Sequence, residues 1–180
     1  MGPIFTWWIG EAEGDPALLE HVAAHLTRSF GAPVRIWGSA ERPRHAYDPR
    51  RRQHASGAIL KWLLEAGPGA GKVLGITDRD LFIPILTYVF GEAQLGGRAA
   101  VVSTARLAEG AQEFGVRLLV ERLAKEAVHE VGHAFGLLHC GTPACVMSRC
   151  AGVRDVDEKD PELCRECRAR LDELAGGVEP

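Results

Sequence analysis

Residues 112–140 read QEFGVRLLVERLAKEAVHEVGHAFGLLHC, and this run carries the longest helical pattern in the chain. Phe114, Leu118, Leu119, Leu123, Ala127, Val131 and Phe135 recur at helical spacing over a broad face, which predicts a central helix from Gln112 to Gly136. His129 and His133 stand four residues apart on it, so they project from one face about a turn apart. That spacing suits two imidazoles reaching one tetrahedral zinc. Glu130 can lie beside such a metal without coordinating it, placed to act as general base toward water. A third ligand has to approach from another direction. Gly136 can adopt the left-handed conformation that ends a helix and turns the chain, and His139 can then return to the metal. Three protein ligands with one open position is the pattern of a catalytic zinc.

Upstream, strand and helix alternate. Ile4–Ile9, Val34–Trp37, Lys72–Thr77 and Ala99–Ser103 read as strands. Asp15 and Pro16 supply an N-cap and a first-turn proline for a helix whose apolar residues run from Leu18 to Phe30, with Gly31 as its stop. Ser56 opens a second helix through about Ala66, and Glu41–His54 reads as a polar, arginine-rich loop. This alternation argues an α/β layer architecture with a mostly parallel sheet. The GPGAGK run at 67–72 imitates a phosphate loop, but Val73 stands where Ser or Thr is required, and the run follows a helix and precedes a strand. It reads as a turn.

Downstream of Gly136 the character changes to a Cys-, Gly- and Pro-rich loop as far as about Asp157, and Asp160-Pro161 then opens a final helix. All five cysteines lie between Cys140 and Cys167. Cys140 and Cys145 on the loop, with Cys164 and Cys167 at the start of the last helix, form the two pairs that a closed four-cysteine zinc site needs. Cys150 is left over as a non-ligand. Met147, eight residues past His139, is the one internal methionine and suggests a soft apolar base beneath the histidines.

Composition limits the alternatives. A chain of 180 residues, 46% hydrophobic and with net charge -3, is large enough for a real core and too balanced for a basic nucleic-acid wrapper. Residues 151–180 hold nine acids against five bases, so the cysteine lobe is acidic, and Arg50–Arg52 reads as a solvated or ion-paired patch. No apolar run is long enough to span a membrane, and the N-terminus lacks the basic region of an export signal. With an odd cysteine count, a reducing cytoplasm is the expected setting.

The motif HExxHxxGxxH followed by a methionine turn resembles the metzincin zinc metallopeptidases. The variant with His139-Cys140, then Cys145-Val146-Met147, then Cys164 and Cys167 as CxxC is similar to the archaemetzincin family, as is the segment LGITDRDLFIPILTYVFGEAQLGGRAAVVSTARL upstream. The loop from Met147 to Cys164 is one residue shorter than the family pattern, and Cys150 lies inside it. The resemblance implies an α/β (α+β) fold: a zincin/metzincin-like twisted mixed sheet with backing and active-site helices and a small C-terminal subdomain holding the four-cysteine zinc. A single domain, 1–180, would divide into subdomains 1–136 and 137–180. An antiparallel edge strand above the zinc maps to about Arg98–Ser103. His129, His133 and His139 would hold a catalytic zinc, with Glu130 as catalytic base and Met147 in the Met-turn. Cys140, Cys145, Cys164 and Cys167 would hold a structural one. The expectation is a monomeric, cytoplasmic hydrolase with two zinc ions per chain, a metalloendopeptidase or aminopeptidase-like enzyme. It would cleave peptides or proteins by Glu-assisted attack of zinc-bound water, with no nucleic-acid or membrane partner. The competing reading is a non-catalytic zinc-binding module that captures peptides or partners on the same fold.

Overall fold

In the computed structural model, residues 1–10, 14–37, 43–111 and 115–176 are described. Strand β1 (Ile4–Trp8) leads into helix α1 (Pro16–Phe30), strand β2 (Val34–Trp37) and a short 3-10 turn at Arg44–Ala46. Strands β3 (Tyr47–Asp48) and β4 (Gln53–Ala55) precede helix α2 (Ser56–Ala66). Then come β5 (Lys72–Thr77), β6 (Leu81–Phe82), β7 (Gly91–Ala93) and β8 (Ala99–Ser103). Helices α3 (Thr104–Leu107), α4 (Val116–Ala134), α5 (Val153–Glu158) and α6 (Arg165–Gly176) complete the order.

The main sheet runs β2-β1-β5-β8-β7, parallel except for β7, which pairs antiparallel with β8. Its central strands are apolar on both faces because both faces are covered. Alternation along β8 sends Ala100 and Val102 into one core with Leu74 and Ile76, while Ala99 and Val101 join Val73 and Trp7 in the other. The first core is closed by Val22 and Leu26 of α1 and by Leu123, Ala127 and Val131 of α4. The second is closed by Ile59, Leu60 and Leu63 of α2. The first core also takes in Met147, Val156, Cys167 and Leu171, so the C-terminal segment is packed into the same apolar interior as α4.

The helix signals act as their chemistry dictates. Asp15 accepts a hydrogen bond from the Ala17 N–H at 2.9 Å, and Gly31, at φ 62°, donates to the Thr27 carbonyl. The expected beginning of α4 at Gln112, and Phe114 with it, lies outside the described residues. Lys72 of the GPGAGK run is engaged at the far end of that helix: its ammonium donates to the carbonyls of Ala134 and Gly97 and lies 4.9 Å from the Phe135 ring. It braces the end of α4.

Four expectations need correction. The antiparallel edge is β7, not Arg98–Ser103, because β8 is enclosed between β5 and β7. The polar loop holds β3 and β4, which build a second small sheet with β6. The last helix starts at Arg165 instead of Asp160-Pro161. The Asp160 N–H donates to the Ala144 carbonyl and the Glu162 carbonyl accepts from Val146, so this stretch lies along the cysteine loop. Helix α5 occupies part of the segment read as loop. There Lys125 donates to the carbonyls of Val156 and Asp157, and Arg122 makes a double contact at 2.7 Å with the Asp157 carboxylate.

Candidate metal centre

Helix α4 brings His129, Glu130 and His133 to the floor of a cleft, the first two buried and His133 half-buried. Gly136, at φ 100°, ends the helix in the left-handed region, and the chain doubles back so that the exposed His139 joins them. The ring centroids lie 4.6 Å apart for His129 and His133, 4.7 Å for His133 and His139, and 5.3 Å for His129 and His139. One ligating atom from each of the three falls within 4.8 Å of the others.

The donor set fits a metal on its own chemistry. His129 directs Nδ1 at the Val146 carbonyl (2.8 Å), and His133 directs Nδ1 at the Leu137 carbonyl (2.7 Å). A ring that donates from Nδ1 leaves a lone pair on Nε2. The two Nε2 atoms then face each other at 3.1 Å. Two lone pairs so placed repel unless a cation lies between them, and ligands of a tetrahedral zinc with 2.0–2.1 Å bonds are about 3.4 Å apart. Burial lowers the pKa of all three rings, that of His139 to about 4, so they are unprotonated at neutral pH. His139 differs from the other two because its Nδ1 accepts from the Arg149 guanidinium at 3.1 Å.

Met147 lies fully buried beneath the site. A Cβ built on Gly132, between the two helical histidines, would come within 2.6 Å of the Met147 sulfur, so glycine at 132 is what lets the turn reach the helix. Cys140 donates its N–H to the Met147 carbonyl, closing the loop that carries Val146 to His129.

The cysteines form a second cluster. Cys140 and Cys164 have sulfurs 3.8 Å apart, Cys145 and Cys167 3.7 Å apart, and all four fall within the same 4.8 Å limit. Those separations match about 3.8 Å for the edge of a tetrahedron with 2.3 Å zinc–sulfur bonds. They are far from the roughly 2.05 Å of a disulfide. Backbone N–H groups of Thr142 and Cys164 point at the sulfurs of Cys140 and Cys145 at 3.4 Å each, as thiolates favour. Cys150 lies apart, 3.9 Å from the Glu126 carboxylate.

Several residues of the site are not assigned to it by the sequence. The cleft, about 560 Å³, is walled by Tyr88, Phe90 and Gly91 on one side and by Arg149 and Cys150 on the other. Glu126, one turn before Glu130, meets Lys159 at 3.1 Å in a fully enclosed ion pair. Burial is the largest influence and opposes the Lys159 charge, but Glu126 and Cys150 together outweigh it and hold the ammonium above the ordinary lysine range. Burial, with Glu126 and Glu92 adding to it and Lys159 opposing, pushes the Glu130 carboxyl well above the usual range. The spacing of Glu126 to Glu130, four apart on one helix face, was the available hint; nothing pointed to Lys159.

Gly91 is the most direct omission. A Cβ there would come within 2.6 Å of the Glu130 Cγ and of the Val101 carbonyl oxygen, so β7 can lie over Glu130 only with glycine at this position. The Gly96 N–H, in the turn after β7, donates to the His133 carbonyl at 2.9 Å and ties the edge to α4. We expect Gly91→Ala to displace Glu130 or the β7 edge, with overpacking costing about 1–3 kcal/mol of stability. A urea melt checks this, and an unchanged midpoint would refute it.

Residues 69–173 match the profile of peptidase family M54. The archaemetzincin of Methanopyrus kandleri is 44% identical over 155 residues, covering 86% of each chain. The archaemetzincin of Archaeoglobus fulgidus is 39% identical over 153 residues, 85% of this chain and 90% of that one. The crystal structure of the Methanopyrus protein superposes with a TM-score of 0.85 over 98% of this chain and 96% of its own. That of the Archaeoglobus protein, complexed with malonate, does so with a TM-score of 0.80 at 36% identity, over 93% of this chain and 99% of its own.

Proposed function

The chain belongs to peptidase family M54 together with the archaemetzincins and is a zinc-dependent metallopeptidase; on that premise we propose which residues do the work. His129, His133 and His139 hold the catalytic ion, Glu130 is the general base, and Cys140, Cys145, Cys164 and Cys167 hold a structural zinc. The observation that carries the assignment is the pair of carbonyl-anchored imidazoles whose Nε2 atoms face each other at 3.1 Å.

Zinc held there supplies a Lewis acid that polarises a carbonyl and lowers the pKa of water. The protein does the rest. Glu130, buried against Gly91, takes the proton of the attacking water and returns it to the leaving amine. Val146 and Leu137 fix the tautomers of their histidines through their carbonyls. The β7 edge offers main-chain groups to a peptide in extended conformation, which gives affinity without much side-chain selectivity. An unstructured peptide or protein segment is therefore the substrate.

Residues 1–136 supply sheet and active-site helix and residues 137–180 the third histidine, Met-turn and cysteine site, as two subdomains of one metallopeptidase domain. Five cysteines without a disulfide suit a reducing compartment, so we place the protein in the cytoplasm, as a monomer. Among the described residues no helix is long and apolar enough to cross a membrane.

The test is turnover of an unstructured peptide library. Cleavage should disappear with a chelator and return when zinc is restored. Binding of the same peptides without cleavage at full zinc content would favour a capture module instead.

A further inference from the structure

A second set of imidazoles lies away from the cleft. His21 and His25 stand four apart on α1, and their rings are 4.7 Å apart. Across the α1–α4 contact, the Glu121 carboxylate comes within 3.5 Å of the His21 Nε2. One ligating atom from each of the three lies within 4.8 Å of the others, the same closeness as in the two clusters already described. His25 is buried, whereas His21 and Glu121 keep 34% and 37% of their side chains exposed. We propose that His21, His25 and Glu121 form a third metal site, a staple between α1 and the active-site helix that takes a borderline divalent ion such as Zn2+.

The distances distinguish this from a simple ion pair. A hydrogen-bonded imidazolium and carboxylate approach to about 2.7–3.2 Å. Here the two atoms stand at 3.5 Å, and the His21 Nε2 is closed off from solvent without a hydrogen-bond partner among the described residues. That separation is close to the roughly 3.4 Å between two ligands on one tetrahedral ion. Two imidazoles and a carboxylate are a donor set that borderline ions accept and that magnesium or calcium do not favour. A shallow cleft of about 420 Å³ lined by Asp15, His21 and Arg117 adjoins the cluster, so water can complete the coordination. Glu121 lies eight residues before His129 on α4, about 12 Å along the helix axis, which keeps this ion clear of the catalytic one. Its role is mechanical: it fixes the first turns of α4 against α1.

The experiment compares zinc content and zinc-dependent thermal unfolding of the 180-residue chain with those of His21→Ala and Glu121→Gln. Wild type should hold one zinc more per chain than either variant in buffered free zinc. Its Tm rise with zinc, taken to a hundredfold excess over Kd, should exceed that of either variant by about 5 °C or more. Peptide hydrolysis should be the same in all three. Only the difference of one zinc is read, so the result does not depend on how the other two sites fill. His133→Ala, by contrast, should lose a zinc together with hydrolysis. Equal zinc content in wild type and the two variants, or a zinc-dependent Tm rise as large in them as in wild type, would overturn the proposal. Glu121 is partly exposed, so Glu121→Gln keeps the test usable if His21→Ala folds poorly.

Discussion

Glu130→Gln is expected to lower peptide hydrolysis by about 10²–10⁴-fold while zinc content stays at the wild-type level. Glutamine keeps the size of the side chain, so the contact with Gly91 and the buried position beside His129 survive. What is lost is a group that can take a proton. None of the proposed zinc ligands is altered, so binding and catalysis should separate. The carboxyl has a second measurable property. Burial first, then Glu126, hold it well above the ordinary range in the ion-free site. A dication entering next to it reverses that balance and expels the proton. Zinc uptake by the wild-type protein near pH 6 should therefore release more protons than uptake by Glu130→Gln, read by calorimetry in buffers of different ionisation enthalpy. Hydrolysis by the variant at the wild-type rate would remove Glu130 from the mechanism.

Short-range chemistry explains which parts of this fold the sequence announces. The cap at Asp15, the stop at Gly31 and the four parallel strands rest on local signals, and each appears where those signals place it. The turn at Gly136 is equally local, since its left-handed φ serves the spacing that returns His139. The edge strand β7 is different. Gly91–Ala93 has three residues of low β-propensity, and its partner β8 holds it in place. Gly91 is needed there because of Glu130, thirty-nine residues further on, a reason invisible until the chain is folded. Lys159 likewise reads as one more charge in an acidic segment, yet it is buried against Glu126. The final helix starts late because Asp160 and Glu162 give backbone groups to the cysteine loop, a tertiary competition that capping signals at Asp160-Pro161 cannot register.

Cys145→Ser should remove the structural zinc and unfold much of the C-terminal segment. The four sulfurs link the loop at 140–145 to the start of α6, two segments without a strand or a long helix between them. Structural zinc contributes on the order of 10–16 kcal/mol in small zinc-dependent folds. Even half of that is comparable to the whole stability of a domain, about 5–15 kcal/mol. The loss reaches the active site, because Val146 and Met147 sit between Cys145 and the histidines and the Val146 carbonyl orients His129. We therefore expect a Tm lower by at least 10 °C, one zinc fewer, and reduced hydrolysis even at high zinc. Cys150→Ser, whose sulfur lies against Glu126 and outside the cluster, should keep the full zinc content. The same site should release zinc as pH falls, since four thiols must lose protons to bind it. Cys164 ionises more easily than Cys145 or Cys167, its pKa lowered to about 7 chiefly by the backbone N–H of Cys167, whereas burial raises the other two. A Cys145→Ser protein with unchanged zinc content and melting curve would show that these sulfurs hold nothing.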